Sequence, residues 1–295
     1  MHRLLLALLF LPLVAVAAED SDHYLAQIAQ QRQAREEGLR RPLGWLSLVG
    51  LHWIEPGSRR VGSAGDNDIV LAVGPERLGT LALAEGVVTL EPAAGALFFV
   101  DGAAVDGAFA LQPDSSGAPT QVTFDEGRSG FSLIERDGRF ALRVRDSQAR
   151  ALREFSGLEF YPVDADWRIA ARFEPHPEGS TIEIANVINQ LQPMPNPGAL
   201  VFEREGRTHR IEAIGNEDGS LFLIFADRTS GRETYGAGRF LDTAAPRDGL
   251  VTVDFNLAYN PPCAFNDYST CPLPPPENRL DMAVRAGEEK YAGAR

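Results

Sequence analysis

The chain has 295 residues, 44% of them hydrophobic and 23% charged, which is the balance of a globular core and excludes a disordered chain. Its formal net charge of −13 argues against nucleic acid and anionic membrane as partners, since both would repel it over a Debye length. Lys290 is the single lysine, so nearly all positive charge is carried by arginine, the better fork for carboxylates and phosphates where several converge.

The first residues pair Arg3 with an apolar run from Leu4 to Val16 and a small-residue pattern at Ala15-Val16-Ala17, the signature of a secretory signal peptide over residues 1–17. The run is shorter than the ~20 residues that cross a bilayer and is broken by Pro12, so an uncleaved anchor is the weaker alternative. With no cysteine beside the cleavage pattern, lipoprotein anchoring is disfavoured, and the mature protein is expected in the periplasm or outside the cell with no membrane span. About 280 residues then remain, enough for one large or two ordinary domains. Oligomeric state is not readable from the sequence.

From Ser21 to Arg40 the chain has no proline, good helix formers and a terminal Gly38, so residues 18–40 are expected as a helix of four to five turns. Tyr24, Leu25 and Ile28 form its thin apolar face. The period then changes to two. Strands are expected over 69–73, 80–84, 87–91, 96–100, 121–124, 131–135 and 140–145, separated by turns such as Glu85-Gly86, Asp106-Gly107 and Asp137-Gly138. Asp137-Gly138 sits between two alternating runs and predicts a type I′ hairpin. Further strands are expected over 167–173, 181–187, 199–204, 208–214, 221–226, 239–241 and 250–255, with no repeat period and no long flexible linker.

The fold class is therefore mostly β. An N-terminal helix precedes a β-sandwich over residues 41–150, packed on a second antiparallel sandwich or barrel over 151–295 that carries a long proline-rich C-terminal loop. Within the first half, RRVGSAGDNDIVL and the later FFVDGAAVDGAFAL resemble forkhead-associated domains. That resemblance implies architecture only. The Ser-x-x-His element such domains use for phosphothreonine is absent after Pro75, where the chain reads PERLGTLAL.

Chemistry is concentrated near the carboxyl terminus. Arg239, Asp254, Asn256, Tyr259, Asn260, Glu277, Asn278 and Arg279 lie among Pro261-Pro262 and Pro272 to Pro276. Proline fixes φ, so such a loop has little entropy left to lose and suits a rigid platform for polar groups. Two readings stand side by side: the Asn and Asp side chains cap the irregular backbone of the loop, or they form a polar pocket joined by Arg239 and Glu277 or Arg279. Cys263 and Cys271, the only cysteines, are expected as a disulfide in an exported chain. A reactive thiol pair and a metal site are the alternatives, the latter disfavoured because no histidine stands nearby. His23, His52, His176 and His209 are scattered, and His52 beside Trp53 reads as packed or surface-exposed more readily than as a base.

Across the mature chain, GWLSLVGLHWIEPG (Gly44 to Gly57), NDIVL, ALRVRD, FADRTSGRETYGAGRFL (Phe225 to Leu241), DFNLAYNPPCAF (Asp254 to Phe265), CPLPPPENRL and AGEEKY resemble the bacterial and archaeal family of unknown function 1684. The resemblance implies no activity, substrate or catalytic residue. Where a Glu-Lys pair usually closes the family's AGE motif, this chain has Glu288-Glu289-Lys290.

No Gly-x-Ser-x-Gly, Walker loop, His-Glu-x-x-His or dinucleotide fingerprint occurs, so no cofactor or metal is expected. Three functions remain open. The first is binding of a small polar ligand or glycan fragment in the cell envelope. The second is an envelope hydrolase using Asp254 or Glu277 as general acid or base, and the third a structural or assembly module.

Overall fold

The computed structural model describes residues 13–105 and 107–293. Residues 1–12 of the expected signal peptide and Asp106 of the expected Asp106-Gly107 turn lie outside the described residues.

Helix α1 runs Leu13–Leu39 and is longer than the sequence suggested, because the alanine-rich stretch from Leu13 to Ser21 contains no glycine or proline to stop it. It takes in Ala15-Val16-Ala17. No described helix is long and apolar enough to cross a membrane. Of the three apolar residues expected to face inward, Ile28 is buried while Leu25 is exposed. The docked face is Tyr24, Ile28, Arg32, Arg35 and Leu39, which follow the helical period but carry polar ends.

Ten strands form the first domain: β1 Leu48–Ile54, β2 Gly57–Gly62, β3 Ile69–Val70, β4 Gly79–Ala84, β5 Val87–Pro92, β6 Phe99–Val100, β7 Phe109–Leu111, β8 Gln121–Phe124, β9 Ser129–Arg136 and β10 Arg139–Asp146. They make two five-stranded sheets, ordered β1-β10-β9-β8-β6 and β3-β2-β4-β5-β7. All pairs are antiparallel except β2 with β3. Alternate residues such as Phe131, Leu133, Leu142 and Val144 meet Val61, Leu81, Val88 and Leu90 in one buried core. At the β9–β10 hairpin Arg136 faces Arg139, and Asp137 and Gly138 have φ of 52° and 69°, as a two-residue type I′ turn requires.

The second domain has eight strands: β11 Arg168–Pro175, β12 Thr181–Ala185, β13 Leu191–Pro195, β14 Gly198–Arg204, β15 Arg207–Gly215, β16 Leu221–Phe225, β17 Arg239–Thr243 and β18 Leu250–Asp254. Six of them form an antiparallel sheet in the order β17-β16-β15-β14-β11-β18, and its end strands approach each other, so the sheet is barrel-like and nearly closed. β12 and β13 form a separate hairpin. Strand β13 was not expected, because Pro193 and Pro195 mark against a strand; it forms as one side of a two-stranded ribbon, where missing donors are tolerated.

The C-terminal segment also differs from a free loop. Leu280, Met282, Val284 and Ala286 alternate inward and join the barrel core with Trp167, Phe202, Phe225 and Phe255. β15 and β16 pair only at Ile214–Phe222 and Gly215–Leu221, leaving a splayed gap that this segment helps to close. Cys263 and Cys271 stand at disulfide distance, with Cα atoms 6.2 Å apart. The loop they close rests on the first domain, where Thr270 accepts from Arg136 Nε at 3.0 Å and Asn266 donates to the Trp45 carbonyl at 3.1 Å.

Candidate functional site between helix α1 and the barrel

Where β18 ends, the chain turns through a single 3-10 turn, Phe255–Leu257, that Asp254 caps by accepting from the Asn256 N–H at 3.1 Å. Both Asp254 oxygens also accept from the Tyr24 hydroxyl of α1, at 2.9 and 3.1 Å. Asn256 donates to Tyr24 at 3.0 Å and to the Asp164 carbonyl at 2.7 Å, and accepts from the Asp164 N–H. This polar knot stitches α1 to the barrel over more than two hundred positions of sequence. Burial and then Asp254 hold the Tyr24 phenol above its ordinary range, so it stays a donor.

About two and three turns along α1 from Tyr24, Arg32 and Arg35 reach the same surface. Arg35 pairs through Nε with Glu288 at 2.8 Å and through Nη2 with the Asn260 carbonyl, also at 2.8 Å. Glu288 is 1% exposed, and its other oxygen accepts from the Asn260 N–H at 2.8 Å. Burial pushes its pKa up, while Arg35 and the backbone donor pull it back only in part. Arg32 donates to the Tyr161 carbonyl at 3.0 Å with its guanidinium over the Phe160 ring, and Arg35 lies over Tyr259. Tyr259 donates to Asp242 at 2.8 Å, and burial and Asp242 together raise its phenol.

These residues enclose a cleft of about 320 Å³ between α1 and the barrel, lined by Arg32, Arg35, Asn256, Tyr259, Asp242 and Glu288 among others. Among the described residues, Nη1 of neither guanidinium has a hydrogen-bond acceptor. Asp242 is exposed and uses only one oxygen on Tyr259. The cleft thus offers hydrogen-bond donors on the helix side and an acceptor on the barrel side.

Of the eight residues singled out from the sequence, Asn256 and Tyr259 line this cleft, and Asp254 and Asn260 brace its wall. The others are elsewhere. Arg239 is wholly buried, pairs with Asp227 at 3.0 Å and donates to the carbonyls of Val284, Ala286 and Glu288, so it fastens the C-terminal segment from inside the barrel. Asn278 spans the splayed gap: it accepts from the Glu212 N–H at 2.7 Å and donates to the carbonyls of Glu212 and Ile224, both at 2.9 Å. Its amide replaces a missing rung between β15 and β16. Glu277 and Arg279 flank it in solvent. Both readings of the polar segment therefore have residues that fit them.

Arg32, Arg35 and Asp242 were not singled out from the sequence, and Glu288 only as part of the AGE motif. A signal for the first two existed: Tyr24, Ile28, Arg32, Arg35 and Leu39 share one helical face, which looks thin only when arginine stems are not counted as apolar. Among the described residues, no group of three or more His, Cys, Asp or Glu is placed to hold a metal ion.

Nothing among curated proteins matches the chain. An uncharacterized protein of Haloarcula marismortui, solved by solution NMR, is 33% identical to it, with 46% of this chain and 77% of that chain covered and a TM-score of 0.39. Residues 153–289, from the end of the first domain through the barrel to the Arg35-paired Glu288, match the family model described as "Protein of unknown function (DUF1684)".

Proposed function

We propose that this protein is exported to the cell envelope and binds a small polar ligand in the cleft between α1 and the barrel. The observation that carries the reading is the pair of arginines, Arg32 and Arg35, each with an Nη1 that has no acceptor among the described residues, lining together with Asp242 a cleft large enough for a compact metabolite. The complementary ligand has a carboxylate or other acceptor at one end and a hydroxyl or ammonium donor at the other, the chemistry of an amino acid or an acidic sugar fragment. A bare aromatic stacking platform is less suited, since Arg32 and Arg35 already cover Phe160 and Tyr259.

Hydrolysis by Asp254 or Glu277 has less support. Asp254 is filled by donors from Tyr24 and Asn256, and Glu277 stands on a separate solvent-facing turn. For the first domain we propose a scaffolding role on a forkhead-associated-like plan, supported by its two opposed five-stranded sheets.

Calorimetric titration with amino acids and uronic acids tests the binding reading, using Gln31→Trp to fill the cleft from an exposed position on its helix wall. Saturable binding that Gln31→Trp abolishes and Arg32→Ala weakens by roughly tenfold is expected. Binding unaffected by both variants, or no binding by any member of the panel, would refute it.

A further inference from the structure

A second cavity, of about 540 Å³, opens at the barrel where β11 ends, and shares no lining residue with the helix cleft. Its walls are Phe173, Leu221 and the prolines Pro177, Pro195, Pro197 and Pro246. Fixed φ at four of these positions makes a preformed apolar hollow that loses little entropy on filling.

One imidazole, His176, forms part of the wall. Its Nε2 meets the Glu212 carboxylate at 2.7 Å, and Glu212 also accepts from Arg210 Nε at 2.8 Å and Asn196 Nδ2 at 3.1 Å. Burial would raise the Glu212 pKa, but those three donors outweigh it and hold the carboxyl below its ordinary range. Glu212 is therefore ionised at neutral pH and can only accept. In the neutral ring the Nε2 must then carry the proton, which leaves the Nδ1 lone pair as the one remaining hydrogen-bonding position of His176. The dyad is held from behind, because Asn278 clamps both the N–H and the carbonyl of Glu212.

Charge then decides the ligand class. Among the described residues no arginine or lysine lines this cavity, whereas the exposed carboxylates Glu178 and Glu217 do. The nearest cation in the dyad, Arg210, is already paired with Glu212 and Glu174. An apolar hollow with an imidazole acceptor, and with two acidic groups at its rim that have no ion-pair partner among the described residues, favours a positive, proton-donating guest and repels a carboxylate.

We propose that this cavity is a binding site for a small organic ammonium ion, its apolar body against Phe173 and the prolines and its N–H donated to His176 Nδ1 beside Glu178 and Glu217. Titrating the full protein with phenethylammonium, phenylacetate and phenylethanol keeps the apolar body constant and varies the charge. Phenethylammonium should bind roughly tenfold or more tightly than either analogue. Glu178→Gln with Glu217→Gln, both on the surface, should reduce that preference to about threefold or less without shifting Tm. His176→Ala should weaken ammonium binding, and Gln31→Trp in the helix cleft should leave it unchanged. Equal binding of all three probes, no saturable ammonium binding at millimolar concentration, or a preference that survives the double substitution would each overturn the proposal. A loss of ammonium binding in Gln31→Trp would overturn it too, by moving the ligand to the other cleft.

Discussion

Replacing Arg239 with methionine keeps much of the stem volume and removes the guanidinium from a position with no solvent exposure. Asp227 would lose the partner of its Oδ2, while its Oδ1 would keep the Thr229 N–H and hydroxyl at 2.8 and 2.6 Å. Breaking one side of a buried ion pair costs about 3–5 kcal/mol, chiefly because the surviving charge is left uncompensated. The carbonyls of Val284, Ala286 and Glu288 would lose a charged donor as well, so the upper end of that range is expected for Arg239→Met. Urea unfolding read by tryptophan fluorescence measures the loss. The double variant Arg239→Met with Asp227→Leu removes the stranded carboxylate, and should recover about 1–2 kcal/mol of it. A single variant within about 1 kcal/mol of the parent, or a double variant whose cost is the plain sum of the singles, would refute the assignment of Arg239 as an internal fastener.

Asn278→Ala removes three hydrogen bonds across the gap between β15 and β16, and a loss of about 2–4 kcal/mol in urea unfolding is expected. Gly138→Ala meets no atom within 4 Å, so its cost is purely conformational, about 1 kcal/mol for a left-handed residue in the type I′ turn; a neutral result would mean the turn is of another type. Glu212 contributes stability that is complete above its ordinary value of 4.5 and is lost as pH falls through its depressed folded value. The stability gap between the parent and Glu212→Gln should therefore shrink as unfolding is measured from neutral pH down to pH about 3, and a constant gap would contradict the donor set around that carboxylate.

Local rules carried the first domain well. Asp137-Gly138 between alternating runs names its own turn, and β9 and β10 follow from period two with Phe131, Leu133, Leu142 and Val144 inward. Strand β1 was missed because LVGLHWI is apolar almost throughout, and strand β13 because proline argues against a strand until its partner is known. The candidate site was legible in part for a different reason. Residue type marks Arg239, Asn256 and Asn278 alike as polar groups in a stiff loop, but whether each meets ligand or backbone depends on distant chain. Arg239 is claimed by carbonyls 45 or more positions away, and Asn278 by strands 54 and 66 positions upstream. The arginines of the cleft come from a helix at the other end of the chain, Arg35 paired to Glu288 across 253 positions and Arg32 bonded to the Tyr161 carbonyl across 129. His176, just past the end of β11, and Glu212, within β15, are 36 residues apart and carry no local signal of being a pair.

Hydrogen–deuterium exchange of the full protein with and without a bound amino acid or uronic acid tests the proposed ligand cleft most directly. Slowed exchange should be confined to the stretch of α1 around residues 28–36 and to the backbone from Phe255 to Asn260, which carry the two walls of the cleft. Protection appearing only in the first domain, or none in α1 at saturating ligand, would contradict the account.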